Sequence, residues 1–103
     1  AIFTFVHLPS RVTGRDVPKI IRIVDQPVLV TALTGAQGNA ELAASAEFLL
    51  SNMSQRMAQG LREEMAGRGK VKDKEAEEAM NIVINAVREL EAAGELTLVK
   101  EEE

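Results

Sequence analysis

The stretch KEAEEAMNIVINAVRELEAAG, residues 74–94, decides the fold class. Its apolar side chains recur at every third or fourth position, at Ala76, Ala79, Met80, Val83, Ala86, Val87 and Leu90. This spacing predicts an amphipathic α-helix with one buried face, because a strand would alternate at every second residue. Asp73 is the predicted N-cap and Gly94 the predicted C-terminal stop. We therefore predict a helix over residues 74–93.

Four shorter helices are predicted upstream by the residues that begin them. These starting signals are Asp16 with Pro18, Asp25 with Pro27, Asn39, and Ser54. The second of these helices stops at Gly35, and the last two cover residues 40–50 and 55–66. Downstream, residues 96–99 form an apolar tail that is expected to dock in extended form. The chain is therefore predicted to be an all-α, compact bundle of about five to six helices.

The composition bounds the class of protein. The chain has 103 residues, 46% of them apolar, which suits one globular domain. It contains no Cys, which excludes disulfides and thiolate metal sites, and its net charge of -4 argues against nucleic acid as the main ligand. No apolar run reaches the roughly 18 residues needed to span a bilayer. We divide the chain into an opening segment (residues 1–14), a helical domain (residues 15–99) and an acidic tail (residues 100–103).

The predicted helix over residues 55–66 carries two distinct faces. At about 100° per residue, its buried face consists of Met57, Ala58, Leu61 and Met65. The opposite face consists of Arg56, Gly60, Glu63 and Gly67, with Glu64 at its edge. A charged outer face is either an ordinary solvated surface or a binding ridge, and periodicity leaves both interpretations open. Gly60 weighs slightly toward binding, since a glycine inside a helix costs about 1 kcal/mol relative to alanine.

No catalytic, metal or cofactor site is predicted. His7 is the single histidine and lies beside apolar residues, so a structural role is favoured over a role as ligand or base. No nucleophile, base and orienting group can be assembled from the sequence, and no phosphate-binding loop is present. We therefore expect a domain that is not an enzyme and that acts by binding other proteins.

Four stretches carry a resemblance to a known family. They are residues 48–58, 61–65, 68–72 and 88–95, and the first contains the run Asn52-Met53-Ser54-Gln55-Arg56. The chain also opens on Ile2-Phe3-Thr4-Phe5, which is similar to a Met-Phe-x-Phe hinge motif. In these features the chain, up to residue 99, resembles the C-terminal domain of the bacterial flagellar motor switch protein FliG.

The resemblance implies a compact, armadillo-like superhelical domain that takes part in bacterial flagellum rotation. Such a domain would lie in the flagellar basal body, at the cytoplasmic face of the inner membrane, and would contact the cytoplasmic loop of the stator protein MotA. By matched position, the stator-binding charged ridge would consist of Arg56, Glu63, Glu64 and Lys72. The hinge motif, Ile2-Phe3-Thr4-Phe5, would reorient this ridge when rotation reverses. The resemblance also implies the switch protein FliM and neighbouring FliG copies as partners.

The sequence departs from the family pattern at four places. Thr34 stands where a ridge Lys is expected, and the loop over residues 35–46 is several residues longer than usual. Gly69-Lys70 replaces a Gly-Pro turn. Residues 6–15 lack the acidic side chains that the family pattern leads us to expect, and they contain His7 and Arg11 instead. The first difference removes one ridge charge, and none of them changes the expected fold.

Two other functions stay open on the sequence alone. A helical scaffold would stack its apolar faces on neighbouring copies or on FliM, without direct stator contact. The related regulatory domain of magnesium transporters would bind cations at an acidic surface and precede a membrane domain. The acidic run over residues 101–103 argues against the transporter interpretation. Neutralising Arg56 and Glu63 would abolish motility for a torque-generating domain and leave it intact for a scaffold.

Overall fold

Helices account for the regular structure of the chain. The computed structural model describes residues 3–100, and within that range there are six α-helices and no strand. They are α1 (Leu8–Arg11), α2 (Val17–Ile23), α3 (Gln26–Gly35), α4 (Ala40–Ser51), α5 (Gln55–Arg68) and α6 (Asp73–Ala92). Short 3-10 turns occupy Phe5–His7, Gly14–Asp16 and Ala36–Gly38. The all-α prediction is confirmed, while Ile2 and the acidic run over residues 101–103 lie outside the described residues.

α6 is the central element of the core. It buries all the apolar residues of the predicted helical stripe, and Ile84 as well. α3 packs along α6 and also against α5, while α4 packs against α1 and the turn at Ala36–Gly38. Every helix contributes to the largest fully buried side chains, which include Leu8, Ile20, Leu29, Leu49, Leu61 and Val83. Burying each such side chain contributes about 1.5–3 kcal/mol, so the helices stabilise one another as a single domain.

Two of the predicted N-caps are confirmed by their hydrogen bonds. The side-chain oxygen of Asn39 accepts from the backbone N–H groups of Glu41 and Leu42, at 2.9 and 3.1 Å. The hydroxyl of Ser54 accepts from the N–H of Met57 at 3.1 Å, and α5 begins directly after it, as predicted. These bonds satisfy N–H groups that the first turn of a helix leaves without a partner inside the helix.

The predicted N-cap at Asp73 is wrong. Lys72 occupies the N-cap position with an extended backbone, and Asp73 is the first residue of α6. The carboxylates of Asp73 and Glu75 lie instead in the first turn, where the partial positive charge of the helix N-terminus favours them. Asp25 does occupy the N-cap position of α3, although its side chain accepts no capping hydrogen bond.

Gly35 ends α3, as predicted, and the absence of a side chain there has a tertiary role. Its φ of -65° is an ordinary helical value, so it does not adopt the left-handed conformation of many terminal glycines. A Cβ at this position would lie 2.3 Å from the Cβ of Ala76 on α6. The absence of a side chain at Gly35 therefore lets α3 and α6 approach closely. Gly94, with φ 76°, is the left-handed stop that was predicted after the long helix.

Asp16 is a buried carboxylate at the start of α2. Its oxygens accept from Thr13 Oγ1 at 2.9 Å and from Lys19 Nζ at 3.1 Å. Burial acts to raise the pKa of Asp16, but these two hydrogen bonds and the charges of Lys19 and Arg15 outweigh it, so the pKa lies below its ordinary value. Lys19 also donates to the carbonyl oxygen of Glu95 at 2.6 Å, which ties α2 to the tail after α6.

The apolar tail docks on the core, as predicted, and it has no regular secondary structure. Leu96 is buried, and Leu98 packs against the core. The N–H of Val99 donates to the carbonyl oxygen of Arg11 at 2.7 Å, so the tail lies beside α1. Within residues 3–100 no helix combines the length and the apolar character that crossing a membrane requires.

Candidate functional site

α5 packs on the core through a narrower face than its periodicity predicted. Ala58 and Leu61 are buried, and Met65 is half-buried against the core, as expected. Met57 is 39% exposed, so its predicted burial is wrong. α5 packs mainly against α3 and α4, which cover the Ala58 side of the helix. Met57 lies about 100° away from Ala58 and therefore falls at the rim of the contact.

The four predicted ridge residues are all exposed. Arg56 and Glu63 lie seven residues apart on α5, so they occupy the same side of the helix with a rise of roughly 10 Å between them. Glu64 lies at the edge of this side. Lys72 follows α5 and directly precedes α6. The helix therefore presents a row of opposite charges to solvent, with a further cation beyond its C-terminal end.

The structure separates the ridge charges from other charges on the same helix. Arg62 pairs with Glu47 at 2.7 Å, and Arg68 pairs with Glu75 at 2.7 Å, so both of these arginines are neutralised within the domain. The amide of Gln26 donates to the Glu64 carboxylate. Arg56, Glu63 and Lys72 make no ion pair and no side-chain hydrogen bond with any other residue in the range 3–100.

Thr34, at the position where the family resemblance led us to expect a ridge lysine, contributes no surface charge. It lies in the last turn of α3 and is half-buried. Its hydroxyl oxygen is buried and has no hydrogen-bond partner among the described residues. Leaving a hydroxyl in this state costs free energy, since the group loses its bonds to water. Sequence reasoning identified the missing charge but carried no signal for the buried hydroxyl.

The hinge motif is anchored by its two phenylalanines. Phe3 is 6% exposed and Phe5 is 3% exposed, so both belong to the core. Between them, the N–H of Thr4 donates to Nδ1 of His7 at 3.0 Å, and the N–H of His7 donates back to the carbonyl oxygen of Thr4 at 3.0 Å. The ring of the lone histidine thus caps the first turn of the chain.

Two arginines lie over the ring of Phe3. The guanidinium carbon of Arg11 is 5.6 Å from the ring centroid, and that of Arg88 on α6 is 5.7 Å from it. Such distances are typical of cation–π contacts. Sequence reasoning noted Arg11 only as a departure from the family pattern. It missed this contact and Arg88 altogether, because no local pattern connects residues so far apart in the chain.

A cleft of about 400 Å³ opens beside the hinge motif. Its walls come from the opening segment, α4 and α6, and include Thr4, Phe5, Leu42, Asp73 and Met80. Across residues 3–100, no three His, Asp or Glu side chains converge in a way that would hold a metal ion. The charged row on α5 and the anchored residues of the hinge motif are the features that we take up below as candidates for function.

The sequence matches the FliG C-terminal domain family over residues 1–98. It is 35% identical over 87 residues to the flagellar motor switch protein FliG of Bacillus subtilis, which covers 84% of this chain. It is 33% identical over 97 residues to the FliG of Aquifex aeolicus, which covers 94% of this chain. The chain spans only 24% and 28% of the lengths of these two relatives.

Solved structures agree with the sequence comparison. A crystal structure of FliG residues 86–343 from H. pylori matches 92% of this chain and 42% of its own, with a TM-score of 0.77 and 28% identity. The structure of full-length FliG from Aquifex aeolicus matches 89% of this chain and 27% of its own, with a TM-score of 0.75 and 35% identity. This chain therefore belongs to the FliG C-terminal domain family.

Proposed function

We propose that this chain is a rotor component of a bacterial flagellar motor, and that its charged ridge contacts the cytoplasmic loop of the stator protein MotA. One observation carries the proposal. Arg56 and Glu63 stand exposed on one side of α5 with no partner among residues 3–100, while Arg62 and Arg68 beside them are neutralised internally. A surface that leaves selected charges of both signs free suits a partner with the opposite arrangement of charges.

The energetics of exposed charges suit a contact that forms and releases repeatedly. Each solvent-exposed ion pair contributes only about 0–1 kcal/mol. Opposite charges nevertheless accelerate association over distances comparable to the screening length, which is about 8 Å at physiological salt. A ridge of Arg56, Glu63, Glu64 and Lys72 would therefore bind the stator quickly and let it go quickly. A tight apolar interface would instead slow release.

The hinge motif would supply the switching element. In this proposal, motion at Ile2-Phe3-Thr4-Phe5 reorients the ridge when the direction of rotation reverses. The protein would lie at the cytoplasmic face of the inner membrane, in the flagellar basal body, with FliM and neighbouring FliG copies as its partners in the rotor. Family membership supports this location and these partners, since the relatives are flagellar motor switch proteins.

The test is a charge reversal in cells whose full-length protein carries Arg56→Glu with Glu63→Lys. We expect torque to fall sharply and to return when the matching charges on the stator loop are reversed. The control is Arg62→Glu with Glu47→Arg, which reverses one charge on α5 and one on α4 but preserves their internal pair. Motors that assemble and keep full torque with the ridge reversed would exclude a direct electrostatic contact with the stator.

A second candidate function is a scaffold in the switch ring that stacks on FliM or on another copy without direct stator contact. It is favoured by an exposed apolar surface beside α6. Ile23 and Ile82 are 46% and 47% exposed and line the same cleft together with Val28. An Ile82→Glu substitution would prevent assembly of the rotor if this surface is an interface. Normal assembly with the variant would exclude that role.

A further inference from the structure

Arg11 holds together two parts of the chain that are far apart in sequence. It ends α1, and its Nε donates to the carbonyl oxygen of Val99 at 2.6 Å. Its own carbonyl oxygen accepts from the N–H of Val99 at 2.7 Å. Its guanidinium carbon lies 5.6 Å from the centroid of the Phe3 ring. One side chain thus contacts the hinge motif on one side and the C-terminal tail on the other.

We propose that Arg11 is a positioning residue that couples the hinge motif to the C-terminal strap, which we define as residues 95–99. Release of Phe3 from its site then weakens the hold on Val99, and release of the strap weakens the hold on Phe3. A role of this coupling in switching rests on the proposed function. The coupling itself is a property of the domain alone.

The coupling follows from the chemistry of the guanidinium group. It is planar and presents donors in a fixed geometry, so stacking on a ring and donating to a carbonyl constrain the same plane. When Arg11 contacts both Phe3 and Val99, its side chain is fixed in one conformation, and the two contacts share a single loss of conformational entropy. When either contact breaks, the remaining contact must bear that whole cost, and it therefore weakens.

The other anchors of the strap indicate that its Val99 end is held less firmly than its start. At its start the strap is held by Lys19, which donates to the carbonyl oxygen of Glu95 at 2.6 Å. Leu96 is buried in the core next to this bond. Val99 is 43% exposed, and the two bonds to Arg11 are what hold it. Leu96 and Leu98 hold the rest of the strap to the core, so Arg11 controls the opening of the Val99 end and not of the whole strap.

Phe3 has a second cation over its ring, which makes the coupling asymmetric. Arg88 lies 5.7 Å from the ring centroid and extends from α6, the central helix. Phe3 therefore keeps its burial in the core and its contact with Arg88 when Arg11 is removed, whereas the Val99 end keeps only its backbone bond to residue 11. A binding partner that lifts the strap would loosen the hinge motif without touching the charged ridge. Binding at the strap could therefore change how firmly the hinge motif is held, separately from binding at the ridge.

Hydrogen exchange measured by NMR on this chain tests the coupling. The reporters are the amide of Val99, bonded to the Arg11 carbonyl, and the amide of His7, bonded to the Thr4 carbonyl. Neither bond uses the Arg11 side chain, so neither is removed directly by Arg11→Met. We expect that substitution to accelerate exchange at the Val99 amide by about tenfold, the order of effect of one charged hydrogen bond, and to accelerate the His7 amide by a smaller factor, because Phe3 keeps its other contacts. Phe3→Leu should also accelerate the Val99 amide.

Arg22→Met is the matched control, because Arg22 is an exposed arginine with no ion pair or side-chain hydrogen bond in the described part of the chain. It should leave both amides within about twofold of the parent. Amides in the middle of α6 report global unfolding. If the α6 amides accelerate as much as the reporters, the single variants lower global stability, and a double variant is needed to measure the coupling. In Arg11→Met with Phe3→Leu, coupled residues should accelerate exchange by less than the product of the two single accelerations.

Three results would overturn the coupling. They are an Arg11→Met variant that accelerates Val99 but not His7, a Phe3→Leu variant that leaves Val99 unchanged, and a double variant whose acceleration equals the product of the singles. None of these measurements involves a stator. Unchanged torque would therefore exclude the stator contact without affecting the coupling. Unchanged amide exchange would exclude the coupling without affecting the stator contact.

Discussion

Adding one methyl group at Gly35 perturbs the closest contact between α3 and α6. The new Cβ would lie 2.3 Å from the Cβ of Ala76 and 3.3 Å from its backbone Cα. The first distance is roughly an ångström shorter than an ordinary carbon–carbon contact of about 3.5 Å, so the two helices must move apart. Overpacking of this kind costs about 1–3 kcal/mol. The higher helix propensity of alanine returns up to about 1 kcal/mol.

We therefore expect Gly35→Ala to lower the free energy of unfolding by up to about 3 kcal/mol, with a central value of about 1.5 kcal/mol. For a domain of this size each kcal/mol corresponds to a fall in Tm of about 4–8 °C. Urea denaturation followed by circular dichroism measures the change directly. Ala76→Gly in the same chain removes the Cβ that clashes, so the double variant should recover more than the single effects predict by addition.

Gly60→Ala is the matched control on α5. The substitution is chemically the same, but a Cβ at Gly60 meets no atom within 4 Å. It should stabilise the domain by about 0.5–1 kcal/mol through helix propensity alone. Gly35→Ala should therefore lower the free energy of unfolding, whereas Gly60→Ala should raise it. A Gly35→Ala variant that is as stable as the parent, or more stable, would refute the account of close helix packing.

Three further predictions concern the core, a cap and a buried acid. Leu61→Ala should cost about 2–5 kcal/mol in urea denaturation, because Leu61 is 1% exposed in a packed core. Ser54→Ala should cost about 1 kcal/mol through loss of the α5 cap, whereas Ser51→Ala should cost less because Ser51 has no such bond. The lowered pKa of Asp16 stabilises the fold above the unfolded-state pKa of about 3.9, and this contribution is lost as pH falls through the lower folded-state pKa. Thermal denaturation between pH 6 and pH 2 should therefore show a shallower loss of stability for Asp16→Asn than for the parent.

The charge reversal on the ridge tests a contact with another protein, and the exchange experiment on Arg11 tests contacts within the domain. The first asks whether exposed charges on α5 meet a partner in the motor. The second asks whether two ends of the domain move together. The two properties are independent, so the torque experiment tests the stator contact alone and the exchange experiment tests the coupling alone.

Features set by neighbouring residues were predictable from the sequence. The apolar stripe of α6 repeats with the helical period, and the caps at Asn39 and Ser54 bond to amides two or three residues away. The opposite charges of Arg56 and Glu63 share a side of α5 because seven residues make almost two turns. All of these depend on distances along one helix, which the backbone geometry determines.

Features that depend on how helices meet were decided only by the tertiary structure. Met57 is exposed because α3 and α4 cover one side of α5, and Gly35 is required because Ala76 lies against it. Arg62 is neutralised by Glu47 on another helix, and Arg11 meets Phe3 and Val99 from opposite ends of the chain. By itself the sequence determined the five helices α2 to α6 and the buried stripe of α6, but it gave no signal for α1 within the opening segment. Packing decided which charges stay free and what Arg11 joins, because those contacts exist only when distant segments share one core.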